Sequence, residues 1–378
     1  MKAALILFDW FSHGGLQRDC SRIGAKLQEK GVDVHIVCMH AEGDVPDEFQ
    51  VHQPSLPGKN KVSKRLAFST FLDDHLGEAQ YDIVIGFNRV PGLDYYFAAD
   101  TCFAWKASRE RNWLYRFAPR SRQYLAFEKS VFGSASSAGI FMLSPGQKQE
   151  YLACYPDAEP RITDIPPGIE RNRMAGEDAQ ALRKSCRQEY GIGDNDILLL
   201  QVGSGFSIKG VDRSLVALAS LPQELLKTTH LIIIGRDEPV SYQAQAKRLG
   251  LDEKVTFLGS RDDIPRFFQG ADILLHPSYK ESAGMVILEA IVAGLPVLTT
   301  ASCGYAFHVQ DADAGIVIED PFFQEALNSG LLAMLQNDER QQWKENGIRY
   351  GTDGDFYDMP ERVAGMILKS ATGKSHGR

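Results

Sequence analysis

The sequence lacks the cysteine spacing of disulfide-stabilised domains and zinc sites. Its six cysteines are scattered along 378 residues, and no two of them form a C-x-x-C pair. Neither a disulfide framework nor a zinc site is indicated by such scattered positions. We therefore expect reduced thiols and a cytoplasmic chain.

The sequence also lacks an excess of positive charge and a long apolar run near its start. It has 41 Lys and Arg against 49 Asp and Glu, a net charge of −8. This charge offers no overall attraction to nucleic acid or to an anionic membrane, so any such contact requires a local basic patch. The apolar run Ala3–Phe8 is too short to span a bilayer and is not followed by a signal-peptide cleavage site. We expect it to be a buried strand.

The length and the order of elements predict two α/β domains. A chain of 378 residues is too long for one typical core. Apolar strand patterns alternate with helical patterns, which is typical of doubly wound, mainly parallel sheets. We therefore expect two Rossmann-like domains facing across a cleft. Strands are predicted at Ala3–Phe8, Asp33–Met39, Ile83–Phe87, Tyr95–Ala98 and Ile140–Leu143, then at Ile197–Val202, His230–Ile234, Val255–Leu258, Ile273–His276 and Val297–Thr300.

A proline-rich stretch, Tyr155–Arg173, separates the two halves and is interpreted as an interdomain linker. The predicted domains are residues 1–165 and 166–355. Residues 356–378 contain the helical pattern Pro360–Leu368, which is predicted to cross back to the first domain. Other helices are predicted at Leu16–Lys30, Leu66–Leu76, Arg213–Ala219, Tyr242–Leu249 and Met285–Ala293.

Two glutamates, Glu281 and Glu289, flank the start of the predicted helix Met285–Ala293. They follow the apolar strand Ile273–His276, with Gly284 in the short connecting loop. A helix N-terminus after such a loop presents free backbone N–H groups, which favour anions. One carboxylate in the loop and another two turns into the helix add acceptors for hydroxyl groups. Together these features suit a nucleotide sugar, although glutamates eight apart are often only solvated.

Two glycine-containing loops and one arginine supply further candidates. Gly14 and Gly15 follow the first strand and allow close approach of a phosphate, although a plain turn uses the same residues. Their spacing is not G-x-G-x-x-G, which disfavours NAD. Lys209 ends a loop after Ile197–Val202 and can neutralise a diphosphate leaving group. Arg173 is a second such cation; both side chains are also compatible with simple solvation.

Three D-x-D triplets raise the question of a metal ion, because such triplets hold a divalent cation in some sugar transferases. One triplet precedes a strand and the others lie in predicted turns, where aspartate is common for its turn chemistry. We therefore predict no metal site. The triplets are Asp194–Asp196, Asp311–Asp313 and Asp353–Asp355.

A basic and aromatic segment lies between Phe103 and Lys129. It carries seven basic and two acidic residues within an acidic protein. Arginine and tryptophan together suit an anionic lipid surface. Single-stranded nucleic acid accepts the same chemistry, and a solvated helix face is the simplest alternative. We favour a membrane-edge partner and expect no nucleic acid. The patch is predicted at Trp105, Lys106, Arg109, Arg111, Trp113, Arg116, Arg120 and Arg122.

Taken together, the motifs resemble retaining GT-B glycosyltransferases of the family 4 type. Several stretches are similar to the narrower group of lipopolysaccharide core heptosyl α-1,3-glucosyltransferases, and the similarity covers nearly the whole chain. These stretches are Gly14–Asp19, Pro91–Asp94, Pro166–Ile169, Lys209–Ser214 and Leu288–Ile291.

The resemblance implies a UDP-hexose donor, an inner-core heptose acceptor and no cofactor. Residues 1–165 would then be the acceptor domain, peripheral on the cytoplasmic face of the inner membrane, and residues 166–355 the donor domain. Glu289 would hold the ribose and Glu281 would contact the hexose. Lys209 and Arg173 would stabilise departing UDP. The remaining donor contacts would come from Gly14, Gly15, Ala283, Gly284, Met285 and Val286.

The resemblance also implies catalytic roles for Asp100, Lys209 and Glu281, with Asp100 orienting the acceptor or the developing positive charge. The mechanism would retain anomeric configuration by front-face attack, and double displacement through a glutamate nucleophile is the alternative. Relatives commonly carry a basic residue where this chain has Ile208, which removes one phosphate contact. UDP-galactose and UDP-N-acetylgalactosamine are the alternative donors. A GT-B epimerase or phosphorylase and a non-catalytic membrane scaffold are the rival functions.

Overall fold

The computed structural model describes residues 1–11, 14–43, 46, 48–110, 113–337 and 339–375. The chain forms two compact units, one of Met1–Gly168 with Asp358–Arg378 and the other of Ile169–Tyr357. The divisions fall slightly after the predicted limits at residues 165 and 355. Within the second unit, the N–H of Ile169 donates to the carbonyl of Phe356 at 3.0 Å, which ties its two ends together.

The first unit is built on a seven-stranded parallel sheet in the order β3-β2-β1-β4-β5-β6-β7. Ala3 to Leu7 are fully buried, as expected of a central parallel strand covered on both faces. The strands are β1 (Lys2–Phe11), β2 (Asp33–Glu42), β3 (Gln50–His52), β4 (Ile83–Gly86), β5 (Tyr95–Ala98), β6 (Gly139–Met142) and β7 (Ile162–Asp164).

Helices cover both faces of this sheet, as a doubly wound fold requires. The first of them buries Cys20, Ile23 and Leu27 along one face, the spacing of an amphipathic helix. The helices are α1 (Gly15–Glu29), α2 (Lys61–Ala79), α3 (Phe103–Trp105), α4 (Pro119–Phe132) and α5 (Pro145–Cys154), with a π-helix at Lys106–Glu110 and 3₁₀ helices at Trp113–Phe117 and Pro156–Arg161.

The second unit repeats the arrangement with a six-stranded parallel sheet in the order β10-β9-β8-β11-β12-β13. Counted from its own first strand, this order is 3-2-1-4-5-6, as in a dinucleotide-binding fold. The direction of winding therefore reverses between the first and fourth strands. The strands are β8 (Ile197–Val202), β9 (Thr229–Ile234), β10 (Val255–Phe257), β11 (Ile273–His276), β12 (Val297–Thr300) and β13 (Gly315–Ile318).

The helices of the second unit pack on both faces of this sheet. Seven of the eight residues of the helix that follows β11 are buried, so it is a core helix. The helices are α6 (Ala179–Glu189), α7 (Phe206–Lys209), α8 (Val211–Ala219), α9 (Gln223–Thr228), α10 (Val240–Arg248), α11 (Ile264–Gly270), α12 (Met285–Val292), α13 (Ala306–Asp311), α14 (Gln324–Gln336) and α15 (Arg340–Asp353), with a 3₁₀ turn at Arg171–Arg173.

The stretch interpreted as a linker is largely structured, which corrects that part of the prediction. Residues Pro156–Arg161 form a 3₁₀ helix, and Ile162–Asp164 is the edge strand β7, paired with β6. Prolines precede the strand without interrupting its hydrogen bonds, so a proline-rich composition was compatible with an edge strand.

The last helix, α16 (Met359–Ser375), belongs to the first unit. It packs against α1, and Lys30 pairs with Glu361 at 2.6 Å. The chain thus returns to its first unit after completing the second. None of the helices in the described ranges has the length and apolar character needed to cross a membrane.

Candidate active site

The strongest candidate site of the second unit lies where β8 and β11 are neighbours. The winding direction of the sheet reverses there, and open α/β sheets bind ligands beyond the carboxyl ends of strands at such a point. The lysine loop follows β8, and the loop containing Glu281 follows β11. The two predicted loops therefore lie side by side at the same edge of the sheet.

The lysine loop is shaped by fixed backbone contacts. The carboxylate of Asp237 accepts from the N–H of Gly205 at 2.6 Å, and Gln201 Nε2 donates to the carbonyl of Lys209 at 2.8 Å. Gly210 ends the short helix α7 with φ of 70°, and a Cβ atom there would overlap the carbonyl of Pro277. Only glycine permits this close approach, which brings Lys209 beside the β11 loop.

Glu281 is the centre of a dense hydrogen-bonding group. Its Oε1 atom accepts from Lys209 Nζ at 2.6 Å, from Ser278 Oγ at 2.6 Å and from the Nε2 atom of His276 at 2.8 Å. The side chain is 10% exposed and that of Lys209 is 18% exposed. The structure thus brings together two of the predicted catalytic residues and fixes the carboxylate in one orientation.

This surrounding charge keeps the carboxylate ionised. Burial alone would raise the pKa of Glu281, but the charge and hydrogen bonds of His276 and Lys209 lower it well below its usual range. The carboxylate therefore stays ionised at neutral and mildly acidic pH.

The loop between Glu281 and α12 is held against the segment after β12. The N–H of Glu281 donates to Ser302 O at 3.1 Å, and the N–H of Tyr305 donates to Ala283 O at 2.6 Å. Gly284 has φ of 86°, and a Cβ atom there would lie 2.7 Å from Cys303 Sγ. The loop is therefore closely packed, and its backbone adopts a left-handed conformation at Gly284, just before the helix.

Helix α12 begins at Met285, so the amides of Met285 and Val286 belong to its unsatisfied first turn. These amides and the helix dipole favour a bound anion. Glu289 lies in the second turn rather than two full turns into the helix. It is buried, and its Oε1 atom is 3.6 Å from the Nε atom of Arg173, which belongs to the same unit. The predicted donor residues of this unit thus surround one helix N-terminus.

In the first unit, Gly14 caps α1 and Gly15 is its first residue. A Cβ atom on Gly15 would have no heavy atom within 4 Å, so open space lies beside this backbone. The side chain of Gln17 donates to the carbonyl of Asp9 at 2.6 Å and ties the first turn to the end of β1. The role of Gly14 and Gly15 in donor binding stays a prediction.

Asp100 follows β5 and is held by a buried network. Its carbonyl accepts from Gln147 Nε2 at 2.7 Å and from the hydroxyl of Tyr151 at 2.9 Å. Its carboxylate accepts from the hydroxyl of Tyr96 at 3.3 Å and lies 3.7 Å from Arg89 Nε. The carboxylate is 38% exposed, so it is oriented from inside the unit and open on one side.

The same arginine connects Asp100 to the basic segment. Arg89 forms a buried ion pair with Glu128, which is fully buried on α4. Glu128 also accepts from the N–H of Phe103 at 2.6 Å and from that of Ala104 at 2.8 Å, so it caps the N-terminus of α3. One of the two acidic residues counted in the predicted patch is therefore part of the core.

The basic segment is a series of short helical pieces that ends in α4. Arg109, Arg116, Arg120 and Arg122 are exposed, and Leu114 and Phe117 are 58% and 65% exposed. Trp105 and Lys106 are half-buried, with Arg109 stacked 4.9 Å from the Trp105 ring. Arg111 and the side chain of Trp113 lie outside the described residues. The described part is a cationic surface with exposed apolar side chains.

Comparisons with known proteins identify the family. A model described as glycosyltransferase family 4 matches residues 13–173, and one described as glycosyl transferases group 1 matches residues 183–350. The lipopolysaccharide glucosyltransferase WaaG of Escherichia coli (strain K12) is 42% identical over 374 residues, covering 99% of this chain and 100% of WaaG. The chain belongs to the family 4 glycosyltransferases.

Solved structures confirm the GT-B fold of this family 4 glycosyltransferase. A crystal structure of WaaG, a glycosyltransferase involved in lipopolysaccharide biosynthesis, covers 97% of this chain and 99% of its own with a TM-score of 0.93. Anabaena Alr3699/HepE in complex with UDP-glucose has a TM-score of 0.76 at 18% identity, covering 98% of this chain and 100% of its own. At this low identity, the similarity to HepE indicates a shared fold and nothing about function. The predicted resemblance to lipopolysaccharide glucosyltransferases is also confirmed.

Sequence reasoning missed two side chains of this glycosyltransferase site. His276 is the last residue of β11 and Ser278 follows two residues later; both donate to Glu281, so they orient the carboxylate. Their position at a strand end, a few residues before Glu281, was a signal that could have found them. Arg89 and Glu128 carried no such signal, because their contact joins residues 39 apart in sequence.

The absence of a metal ion stays a prediction, and the side chains of the glycosyltransferase site are compatible with it. Within the described ranges, one group of metal-binding side chains lies close enough together, namely His276, Glu281 and Cys303. The Lys209 ammonium already contacts Glu281, and burial and the Glu281 charge raise the pKa of the Cys303 thiol. A divalent cation would therefore face another cation and a protonated ligand.

Two of the D-x-D triplets make ordinary turn contacts, and the second and third begin at helix ends, because Asp311 is the last residue of α13 and Asp353 the last of α15. Asp196 accepts from the N–H of Gly193 at 2.8 Å, and Asp313 has φ of 47° and accepts from Asn346. These contacts fit the predicted turn chemistry.

Proposed function

We propose that the protein transfers glucose from UDP-glucose to an inner-core heptose of lipopolysaccharide, forming an α-linkage. The observation that carries this proposal is the Lys209–Glu281 pair beside the N-terminus of α12, in a chain that is 42% identical to a lipopolysaccharide glucosyltransferase over its whole length. The pair combines a cation for the diphosphate with a fixed anion for sugar hydroxyls.

Each donor residue has a role that follows from its chemistry. The first-turn amides of α12 bind phosphate oxygens, together with Lys209 and Arg173. Glu281 accepts hydrogen bonds from the hexose, and Glu289 accepts from the ribose hydroxyls. Binding of UDP-glucose by a protein of the same fold, HepE, supports this type of donor. These cations and amides stabilise departing UDP without a metal ion.

The environment of Glu281 favours front-face retention over double displacement. Three donors bind its Oε1 atom, and its lowered pKa makes the carboxylate a weak nucleophile. We propose that Glu281 positions the sugar and stabilises positive charge at the anomeric carbon. A donor phosphate oxygen then accepts the proton of the acceptor hydroxyl, and Asp100 orients the acceptor.

The alternative donors are UDP-galactose and UDP-N-acetylgalactosamine. Ile208 is 51% exposed on the lysine loop, where a basic side chain would have reached a phosphate. This position contacts the diphosphate region in the proposal and therefore does not discriminate between hexoses. A non-catalytic membrane scaffold is disfavoured because it has no use for the ordered Lys209–Glu281 pair.

We propose that the basic segment attaches the protein peripherally to the cytoplasmic face of the inner membrane. Exposed arginines can meet lipid phosphates while Leu114 and Phe117 enter the headgroup region. A lipid-linked acceptor would then be presented to the first unit.

The function is tested by mass spectrometry of heptose-terminated lipopolysaccharide after incubation with the protein. UDP-glucose, UDP-galactose, UDP-N-acetylglucosamine and UDP-N-acetylgalactosamine are supplied separately with a metal chelator present. The proposal predicts a mass gain of one hexose with UDP-glucose. A mass gain with a different donor only would show that this donor, and not UDP-glucose, is the substrate. No mass gain with any donor would show that the proposed acceptor is wrong.

A further inference from the structure

A small cavity of about 70 Å³ lies in the first unit, at the carboxyl edge of its sheet. Asn88 follows β4 and Asp100 follows β5, and both line the cavity with Arg65 and Tyr124. Phe8 and Phe127 supply apolar walls. This position corresponds to the edge where ligands bind in such sheets.

Arg65 is held in place by aromatic rings rather than by a carboxylate. Its guanidinium donates to the hydroxyl oxygen of Tyr124 and lies 4.9 Å from that ring and 4.7 Å from the ring of Phe8. No carboxylate in the described part of the chain pairs with it. The neighbouring cation Arg89 is different, because Glu128 neutralises it. Arg65 is therefore a half-buried, oriented cation with an unmet charge.

A second cation increases the positive potential at this cavity. Arg120 lies 5.5 Å from the Tyr124 ring. Burial alone would raise the pKa of Tyr124, but the hydrogen bond from Arg65 and the charges of both arginines lower it. The cavity therefore favours an anionic group beside Tyr124.

Asp100 and Asn88 supply this cavity with polar groups that can bind hydroxyls. The Asp100 carboxylate is oriented by Tyr96 and Arg89 and is open on one side. Asn88 Oδ1 accepts from the N–H of Phe8 at 2.7 Å, which leaves its amide NH₂ as a donor. One wall thus suits an oxyanion and the other suits a polyol.

The size of the cavity limits what enters it. A volume of about 70 Å³ is well below the range of roughly 300–1,000 Å³ that is typical of small-molecule pockets. A single acidic substituent fits, whereas a whole sugar ring must stay at the mouth.

We propose that this cavity is an acceptor subsite that binds a phosphate or carboxylate substituent of the acceptor saccharide through Arg65, while Asp100 accepts from a neighbouring hydroxyl. The inference rests on the proposed transferase function for the identity of the saccharide. It assigns Arg65 a specificity role, because an acceptor without the acidic group leaves this cation unpaired.

The test measures binding of a heptose-terminated lipopolysaccharide oligosaccharide by calorimetry, which does not require turnover. Arg65→Gln is expected to weaken binding on the order of tenfold to a hundredfold, because a charge-assisted hydrogen bond is lost. Lys64→Gln is the matched control, since Lys64 is exposed, adjacent on α2 and outside the cavity. Its affinity is expected to equal that of the unmodified protein.

Chemically altered oligosaccharides identify the acidic group and exclude a purely structural effect. Dephosphorylation or carboxyl reduction is expected to weaken binding to the unmodified protein, and the effective treatment names the group. The same treatment is expected to change little for Arg65→Gln. Equal losses in both proteins, or no loss with either treatment, would overturn the inference.

Transfer of glucose, measured in the same samples, separates this inference from the proposed function. Tight, Arg65-dependent binding without transfer rejects the enzyme proposal and keeps the subsite. Transfer with an unchanged acceptor affinity in Arg65→Gln keeps the enzyme and rejects the subsite.

Discussion

Two buried carboxylates, Glu128 and Glu281, are stabilised by different sets of partners. Glu128 neutralises Arg89 and caps α3 with two backbone bonds, which is a structural arrangement. Glu281 pairs with Lys209 at a loop and is 10% exposed at the sheet edge. Glu128 is thus fully enclosed, whereas Glu281 keeps an open side, as the proposed contact with a sugar requires.

Replacing Glu128 by Gln should destabilise the first unit by about 3 kcal/mol, because it leaves the buried Arg89 without its counter-charge. The measurement is the urea-unfolding midpoint followed by circular dichroism. Glu159→Gln is the control, since Glu159 is exposed, and its effect should stay within about 0.5 kcal/mol. Equal midpoints for Glu128→Gln and the unmodified protein would show that Glu128 does not stabilise the buried Arg89.

His308 should make stability fall as the pH decreases. Burial lowers its pKa from 6.5 to about 4, so the folded state resists protonation. The unfolded state binds a proton below about pH 6.5, and stability therefore falls between about pH 6.5 and 4, by about 3 kcal/mol in total. Urea midpoints measured from pH 7 to pH 5 test this slope.

His308→Gln should reduce that slope, because the glutamine does not titrate. A smaller slope should remain, since burial also lowers the pKa of His52, His75 and His230. Ser329→Ala is the control, since Ser329 is exposed in the same unit as His308 and does not titrate. A slope in His308→Gln equal to that of the unmodified protein would contradict the prediction.

At the scale of elements, the loop between β11 and α12 is constrained at Gly284. Alanine there would combine a strained φ of 86° with a 2.7 Å approach to Cys303 Sγ, so the loop must shift. We expect UDP affinity to fall by about tenfold or more, equal to at least about 1.4 kcal/mol. Calorimetric titration with UDP measures it.

Gly250→Ala is the matched control for this prediction. Gly250 has φ of 72°, but a Cβ atom there meets nothing within 4 Å. Both variants therefore carry backbone strain, and only Gly284→Ala should lose UDP affinity. Equal UDP affinities in the two variants would contradict the proposed role of the loop.

The sequence predicted most central elements and few of the edges. The strands β5, β8, β11 and β12 match their predicted limits, because short, mainly apolar runs bounded by polar residues mark buried parallel strands. The edge strands Gln50–His52, Ile162–Asp164 and Gly315–Ile318 were not predicted. Short edge strands carry little apolar pattern, and their pairing depends on neighbours far away in sequence.

The residues of the candidate site were predictable where a short stretch of sequence marks them. Lys209, Glu281 and Glu289 lie in loops and helix starts that follow strands, and the structure groups them in one unit. The partners of Asp100 were not predictable, because Arg89, Gln147 and Tyr151 meet it only through the tertiary fold. The contacts of Arg65 with Tyr124 and Phe8 also depend on the tertiary fold, so its position at the cavity was not predictable either.

At the scale of the whole molecule, a net charge of −8 contrasts with the cationic segment of the first unit. Replacing Arg109, Arg116 and Arg120 by Gln should weaken binding to anionic vesicles on the order of a hundredfold, at about 1 kcal/mol per cation. Vesicle co-sedimentation at low and high salt measures this. The control replaces Lys184, Lys247 and Arg248, three exposed cations of the second unit. Equal losses in both triple variants would contradict a specific membrane surface.

The rate of glucose transfer from UDP-glucose by Lys209→Ala tests the proposed catalytic role of the Lys209–Glu281 pair. Loss of this cation should lower kcat by about 100-fold or more, because charge on departing UDP is left uncompensated. Lys184→Ala is the control and should keep full activity. Normal turnover by a folded Lys209→Ala protein would show that the Lys209–Glu281 pair is not the catalytic centre.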